Sequence, residues 1–164
     1  MHRFLTVGFV LSLSIPTAAA QAQTTLNNAW KCSVVEPVAA VPVTGQADHA
    51  YSVYQVKCAA VNGQVAGVKE KEGTATEFAE VMGSSNKGHG IFVETLENGD
   101  MITYDYQFTS TMNGKVATSA SNTWTMVSGT GKAKGIKGSG SCKGKSDADG
   151  SLSLECTGSY TMGM

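Results

Sequence analysis

A few carboxylic acids are the residues of this sequence best suited to a reaction. Glu77 precedes Phe78, and Asp105 lies between Tyr104 and Tyr106. Either carboxyl group, if it faced an apolar interior, would have a raised pKa and could serve as a general acid or base. Alternation along a strand places Asp105 opposite the tyrosines, which predicts that it faces water. The neighbours of Glu77 leave its direction open.

Other chemistry-bearing motifs are incomplete. His49 and His89 stand near no recognised nucleophile motif, and we expect a surface or capping role for His89. Residues 144–146 (Gly-Lys-Ser) lack the earlier glycine that a phosphate-binding loop needs, because position 139 is Ser139. Residues 147–150 (Asp-Ala-Asp-Gly) lack the third acidic ligand of a calcium loop. The sequence therefore predicts no catalytic residue, no metal site and no cofactor.

The charge pattern argues against nucleic-acid binding. The chain of 164 residues carries 12 Lys plus Arg against 13 Asp plus Glu, and Arg3 is its only arginine. Arginine is the usual residue for two-point recognition of phosphates and guanine, so we expect no nucleic-acid partner. The basic stretch from Lys132 to Lys145 is typical of a solvated strand face.

The N-terminus has the pattern of a secretory signal peptide. A short basic start ending at Arg3 precedes an apolar run, Phe4 to Ile15, that is too short to span a bilayer. Pro16 and small residues up to Ala22 follow, as a signal peptidase requires. We predict a signal peptide over residues 1–22 and a single domain over residues 23–164. The mature protein is then secreted or periplasmic, with no membrane span after cleavage.

Four cysteines in an exported chain predict two disulfides. Cys142 and Cys156 flank residues 146–150, and a hairpin that turns there places the two opposite one another. That pairing leaves Cys32 to join Cys58. A metal site is not expected, because neither a Cys-x-x-Cys spacing nor a nearby histidine occurs.

The elements that must position these residues are short strands. Four dipeptides favour two-residue hairpin turns: Asn62-Gly63, Asn98-Gly99, Asn113-Gly114 and Asp149-Gly150. Three looser breaks lie at residues 42–48, 83–88 and 128–131. Seven breaks separate eight strands. Between them apolar and polar residues alternate, as in Ile102, Tyr104, Tyr106 and Phe108 against their odd-numbered neighbours.

These strands predict an all-β fold, an eight-stranded antiparallel up-and-down β-barrel. Closure removes exposed edges, and a sandwich is the alternative. Gly135, Gly138, Gly140 and Gly144 favour the barrel, because strand glycines often mark bends or bulges. An interior of this size holds either side chains or one small ligand.

The run from Trp124 to Gly140, WTMVSGTGKAKGIKGSG, resembles the signature W-x-[IV]-x-G-G-T-G-K-[FL]-x-G-[IA]-x-G-x-G of bacterial proteins of the allene oxide cyclase barrel-like group. That group is related more distantly to plant dirigent proteins. The resemblance implies an exported calycin-like barrel with a hydrophobic cavity. Ser128 and Ala133 depart from the signature, and no catalytic residue of the plant enzymes can be assigned to a position here.

Three functions follow as hypotheses. The first is a barrel that binds a small hydrophobic or amphipathic ligand. The second is an isomerase or cyclase of the allene oxide cyclase type, and the third is a barrel with only a structural or surface role. The predicted cavity wall consists of Tyr104, Tyr106, Phe108, Trp124, Leu152, Leu154 and Tyr160.

Overall fold

The structure, a computed structural model, describes residues 22–114 and 116–163, and at positions 36 and 37 only the backbone. The predicted signal peptide lies outside this range except for Ala22. Its cleavage and the domain boundary at residue 23 therefore stay predictions. The described strands are β1 (Thr24–Pro42), β2 (His49–Asn62), β3 (Gln64–Val65), β4 (Val68–Met82), β5 (Ser85–Leu96), β6 (Met101–Asn113), β7 (Val116–Gly129), β8 (Lys137–Ser146) and β9 (Leu152–Thr161).

The strands form one closed antiparallel barrel. Hydrogen bonds join them in the order β2-β1-β9-β8-β7-β6-β5-β4, and pairing of β2 with β4 closes the sheet. The short β3 pairs only with the start of β4. The prediction of an all-β, eight-stranded up-and-down barrel is confirmed, and the sandwich alternative is wrong. A 3-10 turn, Gly131–Ala133, lies between β7 and β8.

Three of the four predicted hairpin turns occur where expected. The fourth prediction is wrong: Asn62-Gly63 separates β2 from β3, and the chain reverses at Ala66-Gly67. Ala66 adopts a φ of 51° there, and its N–H donates a hydrogen bond to the Tyr160 hydroxyl at 3.1 Å. The glycines that have a positive φ at the correctly predicted connections are Gly99, Gly114 and Gly150.

One end of the barrel is plugged and the other is open. The plug lies where β1 begins, where β5 turns into β6 and where the 3-10 turn lies. Its apolar side chains exclude water from that end. The connections at the opposite end, which include residues 43–48, 83–84, 114 and 147–151, surround an opening. The fully buried residues of the plug are Val65, Leu96, Ile102, Ala133 and Ile136.

Two disulfides join neighbouring strands through the interior. Cys32 is paired in register with Cys58, and Cys142 with Cys156, and both bridges are formed. The predicted pairing is confirmed. Each bridge closes a loop in the unfolded chain, which by the loop-entropy argument contributes roughly 3 kcal/mol to stability.

The strand glycines of β8 do not mark bulges, because the pairing of β8 with its neighbours shows no register shift. One of them, Gly140, makes room for a large ring together with Gly158 of β9. A Cβ at Gly140 would lie 2.3 Å from Cζ2 of Trp124, and one at Gly158 would lie 2.6 Å from Cη2 of the same ring. The barrel can therefore hold Trp124 inside because β8 and β9 have no side chain there.

Candidate ligand-binding cavity

The interior between the plug and the open end contains a cavity of about 770 Å³. Its lining reaches the open end of the barrel at Met112 and Val116, which flank the β6–β7 connection, and at Gly150 in the β8–β9 connection. Cavities that bind small organic molecules commonly have volumes of about 300–1,000 Å³. The space is therefore large enough for one such molecule, and it opens to solvent at one end of the barrel.

Six of the seven residues predicted for the wall line this cavity. On β6 they follow the even-numbered face that alternation predicts, with the Asp105 side chain exposed on the outer face. Tyr160 lies elsewhere, buried beside the β3–β4 turn to which its hydroxyl is hydrogen-bonded. That these residues bind a ligand stays a prediction. The six are Tyr104, Tyr106, Phe108, Trp124, Leu152 and Leu154.

Three further aromatic residues, which sequence reasoning missed, complete the wall. They are Trp30 on β1, Tyr54 on β2 and Phe92 on β5. The ring of Trp30 meets that of Phe92 edge-on at 5.3 Å between centroids. Tyr104 meets Trp124 in the same way at 5.6 Å. Edge-to-face contacts favour fixed ring positions, so the wall is a preformed surface. The alternation of apolar and polar residues along β2 and β5 was the sequence signal that could have revealed Tyr54 and Phe92.

Glu77 is the acidic side chain at the centre of the wall. It is half-buried and lines the cavity from β4. The Tyr106 hydroxyl donates a hydrogen bond to Glu77 Oε1, and Tyr54 donates a second to the same carboxyl group. Asn86 Nδ2 in turn donates to the Tyr54 hydroxyl at 3.2 Å. Four strands, β2, β4, β5 and β6, therefore converge on one carboxyl group. We call Glu77, Tyr106, Tyr54 and Asn86 the Glu77 cluster.

The environment of Glu77 favours its protonated form more than water does. Burial raises the pKa of Glu77, and the hydrogen bonds from Tyr106 and Tyr54 oppose that rise by stabilising the carboxylate. Burial and the nearby Glu77 charge also raise the pKa of both tyrosines, which keeps them protonated as donors. Such a carboxyl group holds its proton to a higher pH than an exposed glutamate does, which suits proton transfer.

A bulge in β4 explains why the direction of Glu77 could not be predicted. The pairing of β4 with β5 shifts by one residue between Glu70 and Glu72. Such an insertion reverses which residues face inward beyond it. Glu70 and Glu77 consequently both point into the barrel, although one has an even and the other an odd number. The sequence carries no glycine or proline at this bulge that would reveal it.

A second pair of acidic side chains is sealed beneath the cavity floor. Glu70 Oε1 accepts from Asn28 Nδ2 at 2.6 Å, and Glu94 Oε2 accepts from the Tyr104 hydroxyl at 2.6 Å. The other oxygen of each carboxyl group is buried without a hydrogen-bond partner. Burial raises the pKa of Glu70 to about 8 and that of Glu94 to about 7, and the two groups interact. A hydrogen bond between the two carboxyl groups requires that one of them carries a proton, and we infer that this shared proton pairs the remaining oxygens.

The histidines lie outside the cavity. His89 is exposed on β5 and stacks on Phe78 at 5.5 Å, which is the predicted surface position. His49 contacts Glu80 at 3.0 Å near the open end. The outer wall here also carries large apolar side chains, with Tyr51 54% and Phe78 53% exposed. Among residues 22–114 and 116–163, no group of three or more His, Cys, Asp or Glu side chains could hold a metal ion.

The similar solved structures include two dirigent proteins. The pterocarpan synthase dirigent protein GePTS1 aligns with a TM-score of 0.48 and 11% identity, over 93% of this chain and 98% of its own. The pterocarpan synthase dirigent protein PsPTS1 aligns with a TM-score of 0.49 and 13% identity, over 87% of this chain and 97% of its own. No family model and no curated protein matches the sequence. These values are too low to assign a family or an activity.

Within the described part of the chain, no helix has the length and apolar character that crossing a membrane requires.

Proposed function

We propose that this protein is an exported barrel that binds one small hydrophobic or amphipathic ligand in its interior. The observation that carries the proposal is the cavity of about 770 Å³, open at one end, with a largely aromatic wall and the Glu77 cluster at its centre. A pocket of this kind gains affinity from apolar burial and orientation from a few polar groups. The resemblance of residues 124–140 to the allene oxide cyclase barrel-like group supports the same function.

Export is supported by the disulfides. Both bridges join neighbouring strands of the barrel, and disulfides persist in the periplasm or outside the cell. Together with the signal-peptide pattern of residues 1–22, this supports a secreted or periplasmic protein.

The test is to identify what the purified mature protein carries. Native mass spectrometry before and after extraction with organic solvent should reveal a bound small molecule. Because Trp30 and Trp124 line the cavity, tryptophan fluorescence should change as the molecule leaves and return when it is added back. A tryptophan fluorescence that changes during extraction and does not return when the extract is added back would count against ligand binding.

A pair of variants separates the cavity from the surface. Ala120 is half-buried on the cavity wall, whereas Thr125 is exposed on the outside of the same strand. Ala120→Phe should fill part of the cavity and weaken rebinding by about tenfold, which corresponds to about 1.4 kcal/mol. Thr125→Phe should leave rebinding unchanged. Equal effects of the two variants would argue for a surface site.

A second candidate function, an isomerase or cyclase, is favoured by Glu77. Its carboxyl group faces the cavity with a raised pKa, so it could transfer a proton to a substrate that the wall holds in one conformation. The extracted compound would be incubated with the protein and its products separated. Catalysis predicts a new isomer that Glu77→Gln abolishes and Asp105→Asn, on the outer face, does not. An unchanged compound supports binding alone.

A further inference from the structure

We propose that the cavity selects an amphipathic amine, with the ammonium group of the ligand held by the carboxylate of Glu77 and its apolar part on the aromatic wall. This inference rests on the proposed function, because it specifies the ligand class for the same cavity.

The first support is the sign of the charge inside. Of the described residues that line the cavity, the charged ones are Glu77 and Asp149, and both are acidic. Asp149 lies near the rim and pairs with Lys31 at 2.8 Å. Glu77 has hydrogen-bond donors but no cation opposite it in the described wall. A cation stabilises a partly buried carboxylate, and the place that the described wall leaves for one beside Glu77 is the cavity itself.

The second support is the balance of donors and acceptors in the Glu77 cluster. Both tyrosine hydroxyls donate to Glu77, so neither has a hydrogen left for a ligand. Asn86 is 5% exposed, and its Oδ1 is buried without a partner. Because that amide oxygen is buried, the atoms of the cluster left to contact a ligand are chiefly the lone pairs of the Glu77 carboxylate, which accept hydrogen bonds. A head group that donates hydrogen bonds complements them, whereas a carboxylate ligand would be repelled.

The third support is the aromatic surface around the carboxyl group. The rings of Tyr106 and Phe108 lie 6.0 Å apart, and Trp124 pairs with Tyr106 across β6 and β7. The faces of aromatic rings attract cations, most strongly where water is excluded. A neutral alcohol would use the same acceptors but would gain nothing from the charge or from the rings. The combination of carboxylate and rings thus favours an ammonium group over a hydroxyl.

The experiment compares three probes that differ only in the head group: decylamine, decan-1-ol and decanoate. Binding is followed by tryptophan fluorescence and calorimetry with the disulfide-intact protein. We expect decylamine to bind at least about tenfold more tightly than decan-1-ol, and decanoate to bind least. In Glu77→Gln the advantage of decylamine over decan-1-ol should disappear while decan-1-ol binds as before. Asp105→Asn, which removes an outer carboxylate, is the matched control.

The pH dependence supplies a second readout. The groups that face Glu77 are Tyr54 from β2, Tyr106 from β6 and Asn86 from β5, and none of them is charged at neutral pH. Affinity for decylamine should rise as pH rises through the pKa of Glu77, because the carboxylate form binds the cation. The affinity of Glu77→Gln should stay level over the same range.

The outcomes separate the two proposals. Equal affinity for decylamine and decan-1-ol, or an amine preference that survives Glu77→Gln, overturns amine selection and leaves the ligand-binding function standing. Failure of all three probes to bind, with nothing recovered by solvent extraction, overturns the ligand-binding function itself.

Discussion

Two groups of acidic side chains lie inside this barrel, and the protein treats them differently. Glu70 and Glu94 are sealed below the cavity floor, where each has one protein donor and each faces the other. Glu77 lies further along β4, beyond the bulge, and is half-buried on the cavity wall. Its hydrogen-bond donors are two tyrosines. The sealed pair completes its hydrogen bonds with a shared proton, whereas Glu77 keeps unused acceptor capacity that faces open space.

This difference separates structural from functional burial. A buried carboxyl group costs free energy unless its oxygens are satisfied. The sealed pair meets that requirement within the protein, so we assign it to stability. The protein satisfies the oxygens of Glu77 only in part, so its carboxylate can still accept hydrogen bonds from a ligand. Three predictions test this assignment.

The largest effect is expected from truncating the sealed pair. Glu94→Ala leaves a cavity and removes the partner of the Tyr104 hydroxyl and of Glu70, so the free energy of unfolding should fall by about 3 kcal/mol. Glu77→Ala removes a half-buried group beside open space and should cost less than about 1 kcal/mol. Urea denaturation with the disulfides intact measures both. Similar losses in the two variants would erase the distinction.

The next effect is a dependence of stability on pH. The pKa values of Glu70 and Glu94 are raised from 4.5 to about 8 and about 7. Between about pH 4.5 and about pH 8 the folded protein therefore binds more protons than the unfolded chain. The stabilisation is complete below about pH 4.5 and is lost as pH rises through about 7 to about 8, so the free energy of unfolding should decrease across this range. Denaturation curves across this range measure it.

Glu70→Gln is the variant that tests the origin of this slope. Its amide can still accept from Asn28, and its N–H groups can donate permanently to Glu94 in place of the shared proton. The slope should therefore flatten, and stability near pH 8 should rise. Glu77→Gln should leave most of the slope in place. A slope that persists in Glu70→Gln would contradict the shared proton.

The smallest effect concerns the donors to Glu77. Tyr54→Phe removes one hydrogen bond to the carboxylate and the acceptor of Asn86, which should lower the free energy of unfolding by about 0.5–1 kcal/mol and raise the pKa of Glu77 further. Carboxyl signals in an NMR titration measure the pKa. The control is Tyr51→Phe, on the outside of the same strand, whose hydroxyl donates to Glu80 at 3.1 Å. An identical Glu77 titration in the two variants would show that Tyr54 does not act on it.

The sequence was sufficient for the architecture because its strand signals are local. The alternation of β6 placed Tyr104 and Tyr106 inside and Asp105 outside, and no irregularity intervenes between them. The cysteines were predictable for the same reason, since Cys142 and Cys156 flank a short hairpin. Residues related by one regular strand or one tight turn keep their relation in the fold.

The candidate site needed information that local pattern does not carry. The bulge after Glu70 reversed the inward face of β4, and the placement of a bulge depends on how the strand fits its neighbours. Likewise the turn at Ala66-Gly67 took precedence over Asn62-Gly63, where it allows Ala66 to reach the Tyr160 hydroxyl. The Glu77 cluster joins four strands, so its assembly is a property of the closed barrel.

The plug at one end of the barrel has a kinetic consequence. With Leu96, Ile102 and Ile136 fully buried across that end, a guest molecule must arrive and depart through the same opening. Water displaced by an entering molecule must leave through the opening that the molecule itself uses. A molecule longer than the cavity keeps one end in solution. If the proposed ligand binds, this geometry suits holding or carrying a molecule and not conducting one through the barrel.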